Sequence, residues 1–264
     1  MAVPRLKISV PNDGLWETWA EHRQPFIGDP ERPQTGRDGV LLGSRYAPRL
    51  WLPSGHIIPV PAESVGIRHR HARLFDDATT QYLEIDSAPV TAAPLTMAGW
   101  GLSDSLTVTQ AMIWIGDKDV AGDWWALDFA GATAGDPVRS RASTGAGGTT
   151  SAGTSVAYST TAWNHACGVE ASITDRTAYI DGGSTGTDTV SRDPRFPDLI
   201  AIGRYGDSTP NQYFSGDIAE CSVWNVALTA ADVLSLSRAV SPLLVRPEAL
   251  VFYCPIIGNY SPEI

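Results

Sequence analysis

Phe214-Ser215-Gly216-Asp217-Ile218-Ala219-Glu220-Cys221-Ser222-Val223-Trp224-Asn225 runs directly into Val226-Ala227-Leu228-Thr229-Ala230-Ala231-Asp232-Val233-Leu234-Ser235-Leu236, and the period of the sequence changes inside that stretch. In the first half Ile218, Glu220, Ser222 and Trp224 alternate with Ala219, Cys221, Val223 and Asn225, the two-residue repeat of a strand with two distinct faces. After Leu228 the apolar residues fall at Val233, Leu234 and Leu236, which suits a short helix. Thr229 followed three residues on by Asp232 marks its start. The hydroxyl can accept from an orphan backbone N–H, and the carboxylate suits the positive helix end.

The chain upstream reads as strands. Trp163, His165, Cys167, Val169 and Ala171 alternate with Asn164, Ala166, Gly168, Glu170 and Ser172. Asp181-Gly182 between apolar segments predicts a type I′ hairpin, because both residue types tolerate positive φ. Residues 106–115 and 124–129 are further β-rich runs, separated by the polar segment 116–123, and residues 135–153, rich in Gly, Ser and Thr, read as mostly loop or short exposed strand. Trp124 and Trp125 alternate across their strand, which places one in the core and leaves the other more exposed. Many short strands, frequent turns and one helix predict an all-β antiparallel sandwich.

Four motifs in order along the chain carry a resemblance. Phe214-x-Gly-x-Ile-x-Glu followed by Leu228-Thr-x-x-Asp-Val, Trp163-x-His165, Ala178-Tyr-Ile-Asp-Gly182 and Leu199-Ile-Ala-Ile-Gly203 together resemble laminin-G-like domains, and Arg73-Leu-Phe-Asp76 with Gln81-Tyr-Leu83 resembles their opening strand. The similarity spans residues 72–236 and implies a concanavalin-A-like jelly roll of the lectin/glucanase group, with one short C-terminal helix. The expected organisation is an irregular N-terminal arm at 1–71, the sandwich at 72–256 and a tail at 257–264.

Composition sharpens this division. The 264 residues suffice for one sizeable core, and no apolar run approaches a membrane span. A basic-then-apolar leader pattern is missing at the start. Residues 1–73 carry nine Arg and one Lys against seven Asp and Glu, a balance of +3, whereas the remainder stands at −13. The first segment also holds nine of the 19 prolines and four of the five histidines. Its hydrophobes, Trp16, Trp19, Phe26, Trp51, Ile57 and Ile58, are too many for a solvated tail, so the arm is expected to lie on its own sandwich or on a partner. Trp16, Trp19, Trp51, Arg68 and Arg70 are the docking candidates. An acidic sandwich lacks the basic surface that nucleic acid requires. Three cysteines, an odd number, read as small buried hydrophobes of a protein folded in a reducing cytoplasm.

The chemical motifs are incomplete. Glu84-Ile85-Asp86 resembles the start of the Glu-x-Asp-x-x-Glu strand of β-glucanases, but Pro89 stands where the acid/base carboxylate belongs. No Gly-x-Ser-x-Gly elbow is present, and His69-Arg70-His71 has no third ligand cluster for zinc. Asp117, Asp119 and Asp123, with Asp128 at position twelve, follow a calcium loop only superficially, since position five is Ala121 and position twelve is Asp. A Ca²⁺ site of another type among these aspartates is the one cofactor left open. Arg204, Tyr205, Asp207 and Tyr213, in the loop before the long strand, form the polar ligand-binding candidate.

The sequence also resembles laminin-G-like proteins of tailed bacteriophages, through residues 75–83 and the closing Arg246-Pro-x-x-Leu-Val-x-Tyr-x-Pro255. That resemblance implies a non-catalytic virion structural protein, a capsid decoration or head-fibre subunit. Its partners would be the major capsid protein, other copies of itself and host-surface carbohydrate. The alternatives are a bacterial carbohydrate-binding or adhesion module and, last, a glucanase-like hydrolase.

Overall fold

The computed structural model describes residues 49–51, 57–59, 72–145 and 147–256, and the chain divides into two units, Met1–Pro61 and Ala62–Ile264. In the first unit the two apolar pieces β1 (Arg49–Trp51) and β2 (Ile57–Pro59) pair antiparallel, with Trp51 opposite Ile57. Trp16, Trp19, Arg68 and Arg70, the histidines at 69 and 71, and the tail at 257–264 lie outside the described residues.

The second unit is a two-sheet sandwich. Its strands are β3 (Arg73–Phe75), β4 (Leu83–Ile85), β5 (Leu95–Ser103), β6 (Thr109–Gly116), β7 (Trp124–Ala130) and β8 (Pro137–Thr144). There follow β9 (Gly148–Ala157), β10 (Asn164–Ser172), β11 (Asp175–Ile180), β12 (Gly183–Asp188), β13 (Leu199–Ile202), β14 (Gly216–Trp224) and β15 (Leu250–Cys254). One sheet has the order β12-β11-β10-β5-β14, and the free edge of β14 is shared end to end by β3, opposite 216–218, and β15, opposite 221–224. The other has the order β4-β13-β6-β7-β8-β9, and every pairing is antiparallel.

Between the sheets lies the main core. Leu95, Met97, Ala166, Ile180, Ile218, Cys221 and Val223 from the first sheet meet Ile113, Ile115, Trp125, Leu127, Phe129, Val138 and Ile200 from the second. Each Val, Leu, Ile, Phe or Met among them taken out of water contributes about 1.5–3 kcal/mol. A second cluster covers the outside of the first sheet. There α1 (Ala230–Ser237) lays Val233 and Leu236 over Cys167, Val169 and Trp224. Thr229 opens this helix with a full capping box: its hydroxyl accepts from the Asp232 N–H at 3.2 Å, and Asp232 accepts from the Thr229 N–H at 3.0 Å.

Three expectations need correction. The alternation along β14 is broken at Glu220, which takes φ 55°, and the pairing with β5 shifts between Ala219 and Ser222. That bulge turns Ile218, Cys221 and Val223 to the inter-sheet core and Trp224 to the helix side, so Ile218 and Trp224 do not share a face. Residues 135–153 are largely two regular strands, β8 and the first part of β9, because Val138 and Ala142 of β8 reach the core and the small residues of β9 pair along β8 at the sheet edge. Both Trp124 and Trp125 are buried, at 5% and 1% exposure. The Asp181-Gly182 turn has the expected geometry, with φ of 51° and 78°.

Candidate functional site

On β7, Leu127 and Phe129 face the core, so Asp128 between them faces outward from the six-stranded sheet. On the neighbouring β8, Arg139 and Arg141 share that outer face, with Arg139 directly opposite Asp128. Arg139 Nε lies 2.8 Å from Asp128 Oδ1 and its Nη2 3.1 Å from Oδ2, a two-pronged grip. Arg141 Nη1 adds a third contact at 3.1 Å, and the Tyr205 hydroxyl donates to Oδ2 at 2.8 Å. The Arg141 guanidinium lies over the rings of Trp124, at 5.3 Å, and Tyr205, at 5.7 Å, which explains why Trp124 is covered on a face that points away from the core. Burial first, then the Asp128 charge, holds the Tyr205 phenol well above its ordinary pKa, so it serves as a hydrogen-bond donor.

Tyr205 reaches this network because the chain after β13 folds back across the sheet. Phe214 N–H donates to the Gly203 carbonyl, Tyr205 N–H to Asn211, and Ala111 N–H of β6 to Gln212, each at 2.9 Å. Gly206 sits against the sheet where an added Cβ would stand 2.6 Å from Leu199 and 3.1 Å from the Trp114 ring, so only glycine lets the loop lie this close. Arg204 stacks on Tyr82 at 3.7 Å and pairs with Glu84. Asp207 accepts from the Thr209 N–H at 2.9 Å and shapes the loop tip.

Beside the network opens a cleft of about 430 Å³, walled by Asp77, Thr107, Val108, Thr109, Gln212 and Tyr213. Arg139 ties the two together, since its Nη1 donates to Thr133 at 3.0 Å and its Nη2 to Thr109 at 3.4 Å. Among the described residues, the buried donors Trp114 Nε1, Arg141 Nε and Arg204 Nε meet no acceptor. The arrangement can orient hydroxyl-rich or acidic groups and stack a planar or ring-shaped apolar surface.

The sequence-derived candidates separate into four places. Tyr205 joins the Asp128 network, Arg204 the Glu84 pair, and Tyr213 the cleft. Asp117 and Asp119 come together with Asp198, their ligand atoms all within 4.8 Å of one another; Asp123 contributes only its backbone carbonyl, to the Asp117 N–H at 3.1 Å. An all-oxygen set of this kind suits a hard divalent cation in type. Lys118 already occupies the neighbourhood: it pairs with Asp86, and its Nζ lies 3.7 Å from Asp198 Oδ2. The Asp86 hydrogen bond, chiefly, raises the pKa of that lysine. Glu84 and Asp86 are thus each held by a different cation.

Sequence reading passed over Asp128, Arg139 and Arg141 as a group. Their signal was present: each is a charged residue at the outward position of a strand whose alternate positions are Leu127, Phe129 and Val138. Asp198 is legible only through pairing, because Leu199 opposite Gly116 brings it to the start of the 117–123 loop.

Residues 77–234 match the model of a laminin-G-type family described as the concanavalin A-like lectin/glucanases superfamily. No curated protein sequence matches the chain. Among solved structures, a heptameric SAP-like pentraxin of Limulus polyphemus is similar at 14% identity and a TM-score of 0.52, covering 74% of this chain and 98% of that one. Domain 4 of AbnA, an extracellular arabinanase of Geobacillus stearothermophilus seen with arabinotriose, is similar at 21% identity and a TM-score of 0.51, covering 63% and 76%. A Bacteroides ovatus protein assigned to carbohydrate binding gives 19% identity and a TM-score of 0.54 over 73% of this chain, which spans 53% of that protein. At these identities the likeness shows the fold.

Proposed function

We propose, from the premise that this chain belongs to the concanavalin A-like lectin/glucanase superfamily, that it is a non-catalytic glycan-binding module displayed on a bacteriophage particle. The observation that carries the binding reading is the cleft of about 430 Å³ with Tyr213 and Gln212 in its wall and the Arg139–Asp128 network behind it. A ring to stack on and a set of fixed donors and acceptors are what sugar recognition needs. The pentraxin, the arabinanase domain and the Bacteroides protein share the sandwich architecture on which such a surface is built.

A hydrolytic role has less support. The two carboxylates nearest a glucanase pattern, Glu84 and Asp86, are engaged by Arg204 and Lys118, and Pro89 stands at the third position. Glycan binding in this cleft needs no bound cofactor.

The virion setting rests on the two bacteriophage-like segments. The second supplies β15, and the first begins at Phe75, the last residue of β3, whose pairing partner Gly216 lies on the same strand, β14, that carries β15. A capsid decoration or head-fibre subunit is the form this takes, with the arm at 1–71 as its docking segment on the capsid.

Two measurements test the parts separately. On a broad glycan array the purified chain is expected to bind a restricted set of glycans; a blank array overturns the binding reading. Mass spectrometry of purified particles is expected to find the chain in many copies, and its absence from them overturns the virion setting. Glycan binding without incorporation leaves the bacterial carbohydrate-binding or adhesion module, the reading favoured by the Bacteroides likeness.

A further inference from the structure

We infer that Cys221 and Cys254 form a cross-strand disulfide when the protein meets an oxidising environment, a latch that fastens β15 to the sandwich. The two residues are Cα partners on β14 and β15. Beside them the Glu220 N–H donates to the Pro255 carbonyl at 3.3 Å. Hydrogen-bonded and non-hydrogen-bonded pairs alternate along an antiparallel ladder, so the cysteines occupy a non-hydrogen-bonded pair, with Cα atoms about 4.5 Å apart. A disulfide spans about 4.4–6.8 Å between Cα atoms.

The side chains leave the same face. Cys221 belongs to the inter-sheet core, and Cys254 packs against that core from the edge strand. Cys167 faces the other side of the sheet, in the cluster beneath α1, and does not compete. Cys221 Sγ lies toward Gly99 of β5, where an added Cβ would stand 3.3 Å away, so the side chain turns about χ1 to meet its partner.

Exposure fixes the order of events. Cys221 is fully buried, whereas Cys254 is partly open to solvent. The oxidant is a low-molecular-weight disulfide such as oxidised glutathione. The Cys254 thiolate attacks one of its sulfurs, releasing one thiol and forming a mixed disulfide. Cys221 then loses its proton, attacks the Cys254 sulfur and expels the second small thiol. Two protein thiols become one disulfide, and the reagent disulfide is reduced to two thiols that take up the two protons. Burial first, then Cys254, holds the Cys221 thiol well above its ordinary pKa, so the second step is the slow one.

The closed loop contains α1 and the Trp224 indole bond to the Val245 carbonyl at 2.7 Å. Fastening it restricts the unfolded chain and is expected to raise Tm by roughly 5–10 °C. The test takes the full chain in native buffer, reduced or exposed to oxidised glutathione, then alkylated and mapped by mass spectrometry. The expected result is a peptide pair joined through Cys221 and Cys254, a fall from three alkylatable thiols to one, and the rise in Tm. Cys254→Ser removes all three effects, and Cys167→Ser preserves the cross-link and the rise. Three thiols remaining after prolonged exposure, a lasting glutathione adduct without a cross-link, or a bridge that includes Cys167 overturns the inference. Mapping the wild-type chain requires no variant to fold, so a misfolded Cys254→Ser leaves the test intact.

Discussion

Arg176 and Glu170 stand opposite one another on β11 and β10, with Nε 3.0 Å from Oε2, and both side chains are removed from solvent. Ser140 of the other sheet donates to Glu170 Oε1 at 2.7 Å, and Arg176 also reaches Asp188 and the Val190 carbonyl. The network is a polar staple between the sheets. Burial, the largest influence, raises the Glu170 pKa against the opposing pull of Arg176. Arg176→Leu leaves two carboxylates beside a dry interior and is expected to cost about 3–5 kcal/mol. Denaturant unfolding measures this; a loss below about 1 kcal/mol would show that water replaces the guanidinium freely. The paired replacement Arg176→Leu with Glu170→Leu is expected to recover part of the loss, since it removes a buried charge together with its partner.

Helix α1 makes a second prediction, with a defined sign in pH. Slight burial acts against the Asp232 charge, but the Thr229 hydroxyl and N–H and the nearby Arg246 prevail and hold its carboxyl below the ordinary value. A depressed folded-state pKa gives stability that is present above the ordinary carboxylate range and lost as pH falls through the folded value. Asp232→Ala is expected to lower stability by about 0.5–2 kcal/mol at neutral pH, and the difference from wild type is expected to shrink toward pH 3. Thermal melts across that range check it. A gap that stays constant would place the effect in packing and not in the charged cap.

Why some of this was legible and some was not follows from range. The capping box at Thr229 and Asp232 and the turn at Asp181-Gly182 are decided within four residues, and both are readable from local residue order alone. The bulge at Glu220 is not: a non-glycine residue at φ 55° gives no local signal, and it reversed the faces inferred for the second half of β14. The site depends on strand neighbours far apart in sequence, as Tyr205 with Asp128 and Arg204 with Glu84 show. Alternation indicates that Asp128 and Arg139 point outward, but only sheet order puts them opposite each other.

His165 gives the acid side of the stability curve. It is buried at 2% exposure, its ring meets Trp100 edge-on at 5.3 Å, and burial lowers its pKa to about 3. The unfolded chain binds a proton near pH 6.5 that the folded chain refuses until far lower pH. Stability is therefore complete above about pH 6.5 and falls as pH drops toward 3, by a few kcal/mol from this residue. His165→Leu is expected to flatten the stability-versus-pH curve between pH 6 and 4, measured by urea midpoints. An unchanged slope would mean that the imidazole titrates in the folded state.

Asp128 and Tyr213 separate support from binding. Asp128 holds Arg139, Arg141 and Tyr205 at once and is fully buried. Asp128→Asn withdraws the charge that two guanidinium groups share and is expected to cost about 3–5 kcal/mol. Tyr213 lies in the cleft wall and is only partly buried, so Tyr213→Ala is expected to cost less than about 1.5 kcal/mol. If the cleft is the glycan site, the second substitution removes a stacking surface and weakens binding by about tenfold, close to 1.4 kcal/mol. Calorimetry with a glycan selected from the array, alongside melts of both variants, measures the contrast. Equal glycan affinity of Tyr213→Ala and wild type would remove the cleft from the proposed site and leave the Asp128 network with a structural role alone.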